Sequence, residues 1–516
     1  MPAGPRHRPA RLRFWPVWWA TFVSFVAVGV VWNLAQPLLS GADEPVHFLE
    51  AEAVWTGQIL PKVVAAPTLP MKVGVLHVRA LSHDDVDCYN HHADRPASCA
   101  GTFRVSARAE TTTSYIGREP PLPAFLNGLP VFLAPGPAGL VMGRILDAVI
   151  SSACLATALA YAALRRRPFL AVGIVVAFVP CALAETGVLG SSQLEVGAAV
   201  LVWTLVAVLL DGERPTRPFV TLLTVSAAAL ALARPISFVW LALAGLALLV
   251  GSHRRRLVGL LRARPVRVGL PVVVAAVAVG VGWYFLATAP DNPAFPARLH
   301  HLPGTTLGDL SVVLRGVRTD WLEMLGQTGG DYSGPWGTAL LWTALIGLVV
   351  GLGLLWSSRR RVVVVVGLIV VFLALPTAVK TVELPHLWLF WHGRYDLPTL
   401  SGVVIVAAAA LDRAAGRVTE LGRLPTAVVT LAGLGQIAEF VGALRRFTVG
   451  EDGSLDPLVW YRGWHPPIPA VVLLPLGVLV IAAAYGIVHR VQRAVLTDLR
   501  ARSDPPRPQI GPAARR

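Results

Sequence analysis

Arg359-Arg360-Arg361-Val362-Val363-Val364-Val365-Val366-Gly367-Leu368-Ile369-Val370-Val371-Phe372-Leu373-Ala374-Leu375 sets three arginines directly against a charge-free aliphatic run. The run continues to residue 379 and so reaches the about 17–25 residues that cross a hydrocarbon core roughly 30 Å thick. Arginines at one end of such a run mark the cytoplasmic side of a membrane. Comparable runs occur at 14–39, 139–163, 168–188, 194–210, 218–233, 235–251, 268–288, 336–356, 397–411, 424–443 and 468–488, and with 362–379 they predict about twelve spans. The pair meeting at Ala233-Arg234-Pro235 can be drawn in more than one way. Residues 14–39 are too long for a signal peptide and lack a small-residue cleavage site, so they read as an anchor. The expected fold class is an all-α polytopic membrane protein.

Composition agrees. Of 516 residues, 54% are hydrophobic and 15% charged, where a soluble domain carries about 25% charged residues, and the mean hydropathy is +0.61. A soluble domain and a disordered chain are both excluded. The net charge of +15 would ordinarily suggest nucleic acid, but its placement explains it otherwise. With the N-terminus inside and alternating spans, the inner segments carry 28 basic and 6 acidic residues, and the remainder 17 and 24. The charge is an orientation signal; the partner is the lipid bilayer, with no nucleic acid. Residues 1–13 are a basic cytoplasmic N-terminus, 14–488 the polytopic domain, and 489–516 a basic, partly disordered cytoplasmic tail. Long extracytoplasmic loops cover 40–138 and 289–335, and loops of that length point to recognition or chemistry. The expected location is the cell membrane, multi-pass, with both termini cytoplasmic.

The first outer loop opens with Asp43-Glu44-Pro45-Val46-His47-Phe48-Leu49-Glu50. Pro45 suits the first turn of a helix, on which Asp43, His47 and Glu50 share one face. Asp43 either caps that helix or serves as a general base at the water–lipid boundary. Cys88 and Cys99 bracket His91 and His92; a disulfide is favoured on an oxidising face, with a zinc site as the alternative. Cys154 and Cys181 lie within spans. Asp147, Glu185 and Glu195 fall near the outer ends of theirs, where they either pair with Arg144 and Arg234 or line a polar cavity. Lys380 to Asp396 carries His386 and Gly393-Arg394-Tyr395-Asp396. Its aromatic residues suit an interfacial belt, but Arg394 lies on the outer side, where the orientation bias does not account for it. A guanidinium there suits a phosphate clamp.

As an ordered set these motifs resemble a domain-of-unknown-function family of bacterial predicted integral membrane proteins related to the GT-C membrane glycosyltransferases. The set is Asp43-Glu44-Pro45-x-His47, the Cys88/Cys99 pair, Glu119–Pro123, Arg144, Ser192-Gln193-Leu194-Glu195, Ala233-Arg234-Pro235, Met324-Leu325-Gly326, Gly393-Arg394-Tyr395-x-x-Pro398 and Trp464-x-Pro466-Pro467. One departure is Ser191-Ser192-Gln193, where an Asn-Pro-x-Gly-like stretch is expected. The resemblance implies a polyprenyl-phosphate sugar donor, inversion at the anomeric carbon, and an acceptor that is an envelope glycan, lipid or protein. Asp43 would be the base, with Glu44 as neighbour or substitute. Arg394, with Lys380 and His386, would hold the lipid phosphate, and His47, Tyr395, Arg234 and Glu195 would complete the substrate site. No cofactor is expected, and a divalent metal is not required. A transporter or flippase of a lipid-linked or polar substrate, or a non-catalytic envelope protein, is the alternative. Polar residues gathered at the outer ends favour the enzyme, because transporter sites sit near the bilayer midplane.

Overall fold

Aliphatic runs without charge become helices because a helix satisfies every backbone polar group within itself. The computed structural model describes residues 12–65, 72–82, 88–90, 92–115, 119–287, 305–328, 331–332, 335–387, 391–414 and 422–503. Among these, nine helices are long and apolar enough to cross a membrane: Phe14–Ala35, Pro137–Leu164, Ser192–Leu210, Arg264–Leu286, Trp336–Leu355, Arg359–Leu384, Gly393–Arg413, Leu424–Val449 and Ala470–Ala501. Three shorter apolar helices, Pro168–Ala177, Arg217–Ala231 and Ser237–Gly251, occupy the other three expected positions. The basic N-terminus before residue 12, much of the second loop (288–304) and the tail from residue 504 lie outside the described residues.

The structure revises one of the expected spans. The run at 168–188 is broken into Pro168–Ala177 and Pro180–Glu185, because Pro180 lacks an N–H and disfavours helical geometry at the residue before it. Val179 is accordingly extended, with ψ 165°, and the Phe178 carbonyl freed by the break accepts from Gln436 Nε2 at 3.2 Å. The spans expected at 218–233 and 235–251 are two 15-residue helices, each about 22 Å long, with Arg234 in the turn between them.

Ser192–Leu210 is buried along its whole length, as expected of a helix that is apolar all round. Helix Leu397–Ala414 lies against it, and Gly402 allows the close approach: a Cβ there would press on the Trp203 indole. At the arginine-rich end, Asp211 receives Arg167, Arg361 and Arg413, and Glu213 pairs with Arg165 and Arg167. Several of the topological arginines therefore also tie helices together.

The first long loop is where the all-α expectation needs an addition. After helix α1 (Phe14–Ala35) and helix α2 (Glu44–Trp55), strands β1 (Lys62–Ala65), β2 (Lys72–Ser82) and β3 (Arg104–Ser114) form an antiparallel sheet in the order β1-β2-β3. Lys62 pairs with Val75, Val75 with Thr113, and the β2–β3 register shifts between Arg79 and Leu81. Leu76 and Val78 pack on Leu49 and Ala53 of α2, and Arg79 Nε donates to Glu52 Oε1 at 2.8 Å. The sheet thereby fixes α2.

Cys88 and Cys99 form the disulfide, so the zinc alternative falls away for Cys88; His91 lies outside the described residues. The bridged loop sits on the end of helix Leu424–Val449. Arg446 Nη2 donates to the Tyr89 carbonyl at 2.8 Å, and Glu451 N to the Ala93 carbonyl at 2.8 Å. Cys88→Ser with Cys99→Ser is expected to cost about 3 kcal/mol from loop entropy, read as a lower thermal midpoint. Faster hydrogen exchange at residues 92–100 and 449–452 should accompany it.

Candidate functional site

The chain leaves α1 through Gln36–Ala42 and enters α2 through Asp43, whose φ of 62° and ψ of 4° are left-handed. Such a backbone costs a non-glycine residue on the order of 1 kcal/mol or more. It turns the carboxylate away from the helix N–H groups: Asp43 occupies the N-cap position without a side-chain capping bond. That overturns the capping reading. Instead Asp43 Oδ1 accepts from the Tyr115 hydroxyl at 2.7 Å, and Oδ2 from Arg394 Nη2 at 2.5 Å. The Asp43 side chain is 23% exposed, whereas that of Arg394 is 4% exposed. Burial raises the affinity of Asp43 for its proton. Arg394, the Tyr115 hydrogen bond, His47 and Arg234 outweigh it and hold the carboxyl below its usual range. Burial, then the Asp43 charge and hydrogen bond, push Tyr115 well above the ordinary phenol range, so it stays a donor.

Arg394 and Tyr395 lie on a short turn, Gly393–Asp396, that leads into helix Leu397–Ala414. The Tyr395 ring has two guanidiniums over it, Arg394 at 5.0 Å and Arg234 at 4.8 Å. Arg234 is held from below: Nε donates to Ser191 Oγ at 2.8 Å and Nη2 to Ser192 Oγ at 3.0 Å. Glu195 lies 3.8 Å away and itself accepts from Ser237 and Trp240. The Ser191-Ser192 departure therefore supplies two hydroxyls to the arginine, and Glu195 lies against Arg234. Arg394 and the Tyr115 hydroxyl meet on the Asp43 carboxylate, and Tyr395 links Arg394 to Arg234.

Lys380 stands apart from this group, paired with Asp320 of helix Thr306–Gly326. Glu323 of the same helix accepts from Gly393 N at 3.1 Å, so that helix buttresses the arginine turn from behind. The His386 side chain and residues 388–390 lie outside the described residues. Gly393 has no room for a side chain, since a Cβ would overlap the Asp320 carbonyl oxygen. Gly393→Ala is expected to destabilise by about 1–3 kcal/mol and to displace Arg394. A lower thermal midpoint of the variant checks the first, and loss of the Asp43–Arg394 contact in its structure the second.

Glu44 does not join Asp43 as a second base. It is fully buried, and Arg144 meets it through Nε to Oε1 at 2.7 Å and Nη2 to Oε2 at 2.6 Å. Leu189 N and Gly41 N donate to it as well, so its lone pairs are occupied by structure. Arg144, expected beside Asp147, Glu185 or Glu195, serves Glu44 instead and also donates to the Pro37 carbonyl at 2.7 Å. Asp147 accepts from Asn127 and Gly190 N. His47 faces Glu50, with Nδ1 3.4 Å from Oε2. Tyr115 and Glu119 were not among the expected site residues. Their signal was present in the turn-rich stretch that ends at Pro123, but no spacing rule connects it to Asp43.

A sequence profile of predicted membrane proteins, DUF2142, matches residues 26–403. No curated protein matches the chain. Among solved structures, ArnT from Cupriavidus metallidurans bound to undecaprenyl phosphate is similar at 14% identity and a TM-score of 0.41, over 94% of this chain and 78% of that one. ArnT in its apo state is similar at 15% identity and a TM-score of 0.39, over 92% and 77%.

Proposed function

This chain belongs to the DUF2142 family of predicted membrane proteins, and we propose that it is a membrane glycosyltransferase that takes a sugar from a polyprenyl-phosphate donor. The acceptor is an envelope glycan, lipid or protein, and the site faces the extracytoplasmic side of the cell membrane. The observation that carries this is the Asp43–Arg394 contact, made between residues 351 positions apart, with Tyr115 as the third partner. It places a carboxylate and a buried, oriented guanidinium together beside the end of the first span.

The reaction needs little else. An acceptor hydroxyl attacks the anomeric carbon from the face opposite the phosphate and gives its proton to Asp43. The bond from the anomeric carbon to the phosphate oxygen breaks, and polyprenyl phosphate leaves with the electron pair. Arg394, with Arg234 behind Tyr395, stabilises the charge that grows on the leaving oxygen. In the resting protein Asp43 and Arg394 neutralise each other. A donor phosphate takes Arg394, and the carboxylate released is a stronger base than the paired one. Substrate binding thus switches the base on.

The test is transfer from polyprenyl-phosphate sugars by purified protein in proteoliposomes, scored as released polyprenyl phosphate. The reading expects product with at least one donor. Flux of the lipid-linked donor without any bond cleavage would overturn it in favour of a transporter.

A further inference from the structure

His47, Glu50 and Glu119 take no part in the reaction drawn above, yet they form a compact buried group. One ligating atom from each lies within 4.8 Å of the other two. His47 and Glu50 are on one face of α2, one turn apart, and both are more than nine-tenths buried. Glu119 comes from the end of the first loop. Its Oε1 lies 3.7 Å from Arg234 Nε, while its Oε2 is buried without a hydrogen-bond partner. Across the His47 ring, Gln193 Oε1 is also buried and unpartnered, on a side chain only 1% exposed. Both it and His47 Nε2 come within 3.6 Å of the point where a Cβ on Gly190 would stand. Unsatisfied buried acceptors are uncommon in folded proteins and call for a partner.

Two ligands of a tetrahedral ion, each about 2.0–2.1 Å from it, stand roughly 3.3 Å apart. The His47–Glu50 separation of 3.4 Å is already that spacing, and Glu119, within 4.8 Å of both, needs to approach by about 1.5 Å at most. We propose that His47, Glu50 and Glu119 bind a divalent first-row transition ion, zinc by preference. One imidazole with two carboxylates is a donor set for such an ion, whereas magnesium favours an all-oxygen shell with retained waters. Through Glu119 the ion would also fix Arg234, and so the phosphate side of the site, while leaving Asp43 free.

Detergent-purified full-length protein, stripped with a chelator and titrated with Zn2+, tests this without any assay of transfer. Its failure is therefore separable from failure of the glycosyltransferase reading. One equivalent of zinc should survive desalting, and Co2+ should give a visible d–d spectrum that a hundredfold excess of Mg2+ leaves unchanged. Glu119→Gln, at the loop edge, should weaken zinc at least tenfold, as should His47→Ala. The metal-free thermal midpoint of Glu119→Gln reports that it has folded. Absence of stoichiometric zinc from the native protein, or wild-type affinity in both variants, would overturn the proposal. Displacement by Mg2+ would overturn the choice of ion.

Discussion

Asp43→Asn is expected to lower the rate of sugar transfer by about 10²–10⁴, the usual contribution of a positioned general base. The substitution keeps the shape of the side chain, and the amide oxygen can still accept from Tyr115, now 2.7 Å from Oδ1. What disappears is the capacity to take a proton from the acceptor. The fold should survive, because Asp43 makes no capping bond to α2, is itself 23% exposed, and leaves Arg394 its hydrogen bond to the Tyr395 hydroxyl. Single-turnover transfer with saturating donor, set beside the thermal midpoint of the same preparation, separates loss of chemistry from loss of structure. An unchanged rate would remove Asp43 from the mechanism.

The second large effect concerns folding. Arg144 and Glu44 are both fully buried, and breaking such a pair by removing one partner leaves a charge uncompensated, at a cost of about 3–5 kcal/mol. Glu44→Gln and Arg144→Met should each lower the thermal midpoint sharply or prevent recovery of monodisperse protein. Arg144 also donates to the Asn33, Gln36 and Pro37 carbonyls, and Glu44 accepts from Gly41 and Leu189. The pair therefore ties the exit from α1, the entry to α2 and the 188–190 turn into one unit. Combining Glu44→Leu with Arg144→Met should recover only part of the loss, since those backbone groups stay unpaired. A change within 0.5 kcal/mol for either single variant would contradict this role; that is the range of an ordinary surface substitution.

Much of the architecture was legible because a membrane imposes a simple code. Length, apolarity and the arginine bias marked twelve helical positions, and the broken one carries Pro180 in plain view. The site was legible in part. Asp43 and Arg394 stood out as charges that topology did not require, and the fold brings them together across the chain. Their partners were hidden for a physical reason. Tyr115 is 72 residues from Asp43 and Arg144 is 100 residues from Glu44, so no helical or strand period links them. Lys380 carried the right charge for a phosphate, but a neighbouring helix supplies Asp320 to neutralise it. The sheet of the first loop was obscured by the same apolar composition that announced the spans, although Val73, Leu76 and Val78 are all buried within β2.

In the proposed reaction a donor phosphate replaces Asp43 on Arg394. Affinity for a polyprenyl phosphate, measured on the native protein, Asp43→Asn and Arg394→Ala, tests it most directly. Removing the Asp43 charge frees Arg394 and lifts the repulsion on the incoming anion. Asp43→Asn should therefore bind the lipid phosphate about tenfold more tightly, a difference of ~1.4 kcal/mol, although its transfer rate collapses. Arg394→Ala should bind at least tenfold more weakly. Equal affinity in all three proteins, or weaker binding by Asp43→Asn, would contradict the account.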